Sequence, residues 1–322
     1  MRPSAGALFR VAPSIVAAVR RCVALGLVIF LAACQPPDRP EARADLFPEA
    51  LAELLSPDTT RTIQVAPGVA YRYLWSEKGP WAVHLLEVDL TSCRVGLAVV
   101  RAPGDPGTDE ARAPVSRLLE LAPEGSVAAV NGDFFTPEGF PRGPELSTRG
   151  LRASQRRPAL SWSVAEGPRI GVAEIVGGTL VMESAPHDPE VLVGGYPELL
   201  RNGEPLADLG ADTPPSFARV RHPRTAVGFA RDPARLWIVV VEGRLGPRSA
   251  GMTLAELARL LDAAGAERAL NLDGGGSSVM VLGVRPVSRP SEDGRERAVA
   301  NALVVRSTAT LCEPSVSAAD RE

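Results

Sequence analysis

The sequence predicts an α+β fold: a large mixed, mainly antiparallel sheet with a few flanking helices. Three observations lead there. Short apolar runs separated by Gly, Pro and Asp clusters recur along most of the chain. Only a few segments carry helical periodicity. Strands and helices do not alternate regularly, as they would in a parallel βαβ fold. Thirty glycines and thirty prolines imply long, ordered connections between the runs.

From the N-terminus, Arg20 and Arg21 precede an apolar run from Cys22 to Phe30, which ends in Leu31-Ala32-Ala33-Cys34. That order is a lipoprotein signal peptide over 1–33 with lipidation expected on Cys34. The run is shorter than the roughly 20 residues that cross a bilayer as a helix. Residues 34–60 read as a Pro-rich, charged tether followed by a short helix from Pro48 to Leu55. One domain is expected over 61–312 and a disordered tail over 313–322.

Within that domain the expected strands are Val69 to Trp75, Ala82 to Leu90, Val95 to Val100, Ser126 to Val130, Ile170 to Val176, Thr225 to Ala230, Leu236 to Val241, Ala269 to Leu272, Val279 to Leu282 and Val299 to Val305. A helix is expected over Val115 to Leu121. The clearest helix is Leu254 to Ala264, where Leu254, Leu257, Ala258 and Leu261 share a face. Thr253 and Glu256 supply a capping box, and Gly265 closes the helix. Pro137 to Arg157 and Glu204 to Pro223 read as loops.

Without residues 1–33 the chain carries 31 basic and 38 acidic side chains, a net charge near −7. No electrostatic case for nucleic acid follows. Removal of Cys22 and lipidation of Cys34 leave Cys93 and Cys312, which an oxidising compartment would pair. The histidines at 84, 187 and 222 and the cysteine spacing do not suggest a zinc site.

Chemistry concentrates at strand ends. Asn271-Leu272-Asp273-Gly274-Gly275-Gly276-Ser277-Ser278 joins two apolar runs, and three glycines suit close approach of the main chain to an anion or, equally, a tight turn. Asn131-Gly132-Asp133 and Glu242-Gly243-Arg244 end two other runs, and acids at three strand ends could converge. A basic segment, Arg219 to Arg224, offers guanidinium forks for phosphate or carboxylate.

Six segments in order resemble the phosphodiester glycosidase family: VNGDFF (Val130 to Phe135), GGYPELLRNG (Gly194 to Gly203), HPRTAVGF (His222 to Phe229), EGRLGPRSAGMTLAELARLL (Glu242 to Leu261), ALNLDGGGSSVMV (Ala269 to Val281) and RERAVANALVV (Arg295 to Val305). The resemblance spans about 70 to 306. It implies hydrolysis of a sugar 1-phosphodiester at the glycosidic carbon, and it carries the family's motif positions onto Asn131, Arg224, Asp273 with its glycines, Ser277 and Arg297. Asp133 and Glu242 depart from the family pattern.

The resulting expectation makes Asp273 nucleophile or base and Glu242 its partner. Arg224, Arg297 and the amides of Gly274, Gly275, Gly276, Ser277 and Ser278 would hold the phosphodiester, with Asn131 and Asp133 also on the substrate. The reaction needs either no cofactor or a divalent cation such as calcium, held by Asp133 or Asp273. The expected partner is a phosphate-containing glycan, N-acetylhexosamine-1-phosphate in type, at the cell envelope. The lipid anchor would place the protein on the outer membrane, facing the periplasm. Two alternatives stay open: a non-catalytic glycan-binding or exopolysaccharide-assembly lipoprotein, and a metal-dependent phosphodiesterase that cuts the P–O bond.

Overall fold

The computed structural model describes residues 48–308 except 153, 184–187, 232–233 and 292. The expected signal peptide, the Cys34 lipidation site, most of the tether, Cys312 and the C-terminal tail lie outside the described residues. Of the expected disulfide pair, Cys93 sits in the turn before the fourth strand.

The chain begins with helix α1 (Glu49–Leu55) and strands β1 (Thr59–Ala66), β2 (Val69–Ser76), β3 (Trp81–Asp89) and β4 (Val95–Arg101). Helix α2 (Val115–Glu120) leads into β5 (Ser126–Asn131). Short strands follow: β6 (Glu145–Ser147), β7 (Gly150–Arg152), β8 (Arg157–Ser163), β9 (Gly167–Val176), β10 (Thr179–Met182), β11 (Val191–Gly194), β12 (Glu198–Arg201) and β13 (Glu204–Pro205). Next come α3 (Pro215–Arg219), β14 (Arg224–Arg231), β15 (Ala234–Val241), α4 (Leu254–Ala263) and β16 (Arg268–Asn271). A 3-10 turn, Gly275–Ser277, precedes β17 (Met280–Leu282), β18 (Arg285–Pro286) and β19 (Asn301–Ser307).

The fold is α+β and mainly sheet, and the strand pairs among the described residues are antiparallel. The strands divide among three sheets rather than one, in the orders β1-β2-β3-β15-β14-β16-β12-β13, β10-β9-β8-β11-β6-β7 and β18-β17-β5-β19-β4. The reason lies in burial. Val69, Leu86, Val88, Val130, Leu160, Val193, Val227, Ile238, Leu270 and Leu303, drawn from all three sheets, meet in one apolar cluster, which a single open sheet could not enclose.

The helices cover outer faces. Val115, Leu118 and Leu119 of α2 pack on the other side of the five-stranded sheet, against Ala129, Val281 and Val304. α4 carries the expected capping box, Thr253 with Glu256, and buries Leu254, Leu257, Ala258, Leu260 and Leu261. The segment expected as one loop from Pro137 to Arg157 holds the hairpin β6–β7, and Glu204 to Pro223 holds β13 and α3.

Candidate active site

Two of the sheets meet where β5 and β16 end. The Asp273 amide donates to the Gly132 carbonyl (3.0 Å), and Asn131 Nδ2 donates to the Asp273 carbonyl (2.6 Å). These bonds join the last residues of β5 to the first residues after β16, and they fix where the Asp273 side chain emerges. The Asp273 carboxylate accepts from the Gly274 amide (2.9 Å). Burial raises its pKa to about 6, against the lowering pull of the Ser277 hydroxyl, the Gly274 amide and Arg297.

Asp273 opens on a pocket of about 260 Å³ lined by Phe134, Phe217, His222, Arg224, Arg244, Gly274 to Gly276 and Arg297. It is the one carboxyl group among these lining residues. The loop glycines serve packing. A side chain at Gly274 would press on the Pro223 carbonyl at 3.0 Å, while Gly275 has φ +63° and a side chain there would come within 3.4 Å of the Arg244 guanidinium. His222 Nε2 donates to the Ser216 carbonyl (2.9 Å), so Nδ1 is the acceptor for Arg244 Nη2 (3.2 Å). Burial lowers the His222 pKa, the Ser216 carbonyl opposes this, and Arg224 and Arg244 lower it further.

Several expected site residues lie elsewhere. Glu242 is buried away from this pocket, where it accepts from His84 Nε2 (3.0 Å), Arg248 Nε (2.6 Å) and the Arg289 amide (2.8 Å). Burial alone would raise its pKa, but hydrogen bonds from His84 and Arg248 hold it at about 2. It is therefore an ionised structural carboxylate, not a partner facing Asp273. Asn131 is fully buried and spends its amide on Asp273, Thr225 Oγ1 and the Val279 amide, so it sets the loop instead of touching a substrate.

Asp133 is likewise buried beneath the site. Its Oδ2 accepts from the Gly143 amide (2.5 Å), and Oδ1 has no partner among the described residues. Burial pushes its pKa up to about 7; the Gly143 amide and Arg157 oppose the rise, and Asp273 adds to it. Arg224 reaches the pocket but gives Nε to Met252 and Nη2 to the Phe217 and Val220 carbonyls. Burial lowers its pKa to about 10. The expected amide cradle is mostly spent: Gly274 donates to Asp273, Gly275 to Pro223, Ser277 to Gly274 and Ser278 to Gly275. Ser278 Oγ is buried without a partner among the described residues.

Arg244 and Arg297 also line the pocket, and both are exposed at its rim. Among the described residues no group of three or more His, Cys, Asp or Glu side chains gathers as a metal site. Arg244, His222, Phe134 and Phe217 complete the pocket without having been singled out as site residues, although the first two lie in segments whose charge stood out.

The family model for phosphodiester glycosidases matches residues 124–306, more than half of the chain. The chain belongs to the phosphodiester glycosidase family. It is similar over 77% of its length, with a TM-score of 0.55 and 22% identity, to 81% of the zebrafish N-acetylglucosamine-1-phosphodiester α-N-acetylglucosaminidase catalytic domain, solved auto-inhibited by its pro-peptide. A hypothetical protein from Synechocystis matches with a TM-score of 0.60 and 18% identity, over 77% of this chain and 64% of that one. A Burkholderia pseudomallei exported protein matches with a TM-score of 0.51 and 18% identity over 71% of this chain and 74% of its own. At these identities the likeness is one of fold. The SPbeta prophage-derived protein YomE of Bacillus subtilis is 40% identical over 86 residues, a stretch that is 27% of this chain and 13% of that protein.

Proposed function

We propose that the protein hydrolyses the glycosidic bond of a sugar 1-phosphodiester, of the N-acetylhexosamine-1-phosphate type, in a surface glycan or exopolysaccharide. One observation carries the reading: a single carboxyl group, Asp273, with its pKa near 6, faces a pocket walled by Arg224, Arg244 and Arg297. Above that pH the carboxylate attacks the anomeric carbon, or removes a proton from the water that does. The bond between C1 and the ester oxygen breaks while that oxygen stays on phosphorus and keeps the electron pair, and a phosphomonoester leaves with the rest of the substrate. Water supplies the anomeric hydroxyl of the free sugar.

Such a leaving group is stable without prior protonation, so a second carboxyl group in the pocket is not required. What the step needs is compensation of charge growing on the phosphate, and fixed guanidinium groups supply it without reorganisation. This favours catalysis over glycan binding alone, because a binding pocket gains nothing from a half-desolvated acid beside an anionic ligand.

The test is turnover of p-nitrophenyl-phosphate-linked and UDP-linked N-acetylhexosamines, with products read by mass, with and without chelator. Free sugar is expected, with kcat/KM rising through a pH of about 6 as Asp273 ionises. Asp273→Asn should lower kcat by at least about a hundredfold; full activity in that variant would refute the assignment. The chelator arm reports whether a divalent cation such as calcium takes part.

The setting proposed is the cell envelope, with the domain held on the outer membrane by lipid on Cys34 and facing the periplasm. The Arg20-Arg21 pair, the apolar run and Leu31 to Cys34 support this. An oxidising compartment there suits a Cys93–Cys312 disulfide.

A further inference from the structure

A second pocket, of about 480 Å³, adjoins the candidate active site, and Phe134 and Phe217 belong to the walls of both. The chain builds it by stitching two segments together. The Arg142 amide donates to the Phe134 carbonyl (2.7 Å), and the Gln155 amide donates to the Arg142 carbonyl (3.1 Å). Arg142 is thereby placed beside Arg156 and Arg157 at the start of β8, against the single acid on the wall, Asp212.

The three arginines differ in what they already hold. Arg156 is committed to ion pairs with Glu183 and Glu174. Arg157 is half-buried, and its Cζ lies 5.5 Å from the centroid of the Phe134 ring and 5.2 Å from that of Tyr196. Two aromatic faces fix the plane of this guanidinium and leave its N–H edge for hydrogen bonding. Among the described residues neither Arg157 nor Arg142 has a side-chain hydrogen bond or an ion pair closer than 4 Å. Burial lowers the Arg157 pKa; Asp133 opposes this, and the nearby charge of Arg142 lowers it further. Asp133 and Asp212 are the acids near this pair, and an anion seated between the two guanidinium edges would lower their mutual repulsion further.

We propose that this pocket is a second anion subsite, which takes a phosphate or carboxylate carried by the group that leaves with the scissile phosphate. It rests on the reading of the Asp273 pocket as a phosphodiester glycosidase site. The leaving-group side is the one that fits, because an N-acetylhexosamine ring carries no charge for Arg142 and Arg157 to meet. The substrate class is thus a glycan or polymer with an anionic group next to the cleaved linkage.

The test uses three ligands: N-acetylglucosamine 1-phosphate esterified to glycerol, to glycerol bearing a phosphate on its far hydroxyl, and to glycerate. Each is titrated calorimetrically into the full domain carrying Asp273→Asn, so that turnover does not blur affinity, and then assayed for kcat/KM on the unaltered enzyme. The added anion should tighten binding about tenfold, as a charge-assisted bidentate contact would. The phosphate and carboxylate arms show which anion the subsite prefers.

Arg142→Gln, at an exposed position, and Arg157→Lys, which keeps the charge but loses the planar fork, should each abolish most of that gain. With Arg142→Gln, kcat/KM for the plain glycerol ester should stay at the unaltered value. Equal affinity for all three ligands, or a gain that survives both substitutions, would overturn the subsite. A gain that is lost in the variants while the enzyme hydrolyses none of the ligands would uphold the subsite and sink the glycosidase reading.

Discussion

Arg244 stands at φ +57°, in the left-handed region where a side chain is strained and glycine is at ease. Its guanidinium walls the Asp273 pocket and meets His222. Arg244→Gly should therefore raise stability by up to about 1 kcal/mol in thermal unfolding while lowering kcat/KM at least about tenfold. The opposite pattern is expected at Glu242. Its folded pKa, about 2, lies below the ordinary 4.5, so its stabilisation is present above pH 4.5 and is lost as pH falls towards 2. Glu242→Gln should cost about 3 kcal/mol at pH 7 and leave the substrate dependence of the remaining activity unchanged.

Asp133 has the reverse sign: its raised pKa costs nothing below pH 3.8, and the cost grows as pH rises to about 7 and is complete above. Asp133→Asn should melt higher than the unaltered protein at pH 8 and no higher at pH 4, the gap reflecting about 1.4 kcal/mol per pKa unit. An acid followed by three glycines after an apolar strand suits a tight turn as well as a site, so Asp273 stood out only through the family motif around it. The role of Glu242 was not legible. Its side chain continues the core-facing alternation of Leu236, Ile238 and Val240, and its partner His84 is 158 residues away in sequence. Arg244, past the strand end, is the residue of that segment that turns to the pocket.

At the scale of elements, α4 was readable to its ends because its cap is local chemistry: the Thr253 side chain accepts from the Glu256 amide and the Glu256 carboxylate accepts from the Thr253 amide. Thr253→Ala should cost about 1 kcal/mol in chemical denaturation. β1 escaped detection because Thr59 to Ala66 is an edge strand whose polar residues face solvent, with Ile63 more than half exposed, so it lacks a buried face to betray it. The hairpin β6–β7 is too short for a period, and long-range pairing of Leu146 with Leu192 ties it into its sheet. The turn after β16 is held by Gly275. Gly275→Ala should destabilise it by about 1 kcal/mol, through φ +63° and contact with Arg244, and should weaken substrate affinity as that guanidinium shifts.

At the scale of the described residues as a whole, three antiparallel sheets share one large apolar cluster, and the candidate site lies where strand ends from two of them meet. The α+β class followed from run length and spacing; the division into three sheets did not, because pairing between distant strands such as β3 and β15 leaves no local trace. An acidic chain with a guanidinium-lined pocket should bind its anionic substrate through local rather than overall charge, so KM should rise only modestly with salt. The central claim concerns which bond breaks. Hydrolysis of an N-acetylglucosamine-1-phosphodiester in oxygen-18 water, with products weighed, reads it directly. Label in the anomeric hydroxyl of the free sugar, with none in the phosphomonoester and no turnover by Asp273→Asn, is the result predicted. Label in the phosphate would mean attack at phosphorus and would contradict the account.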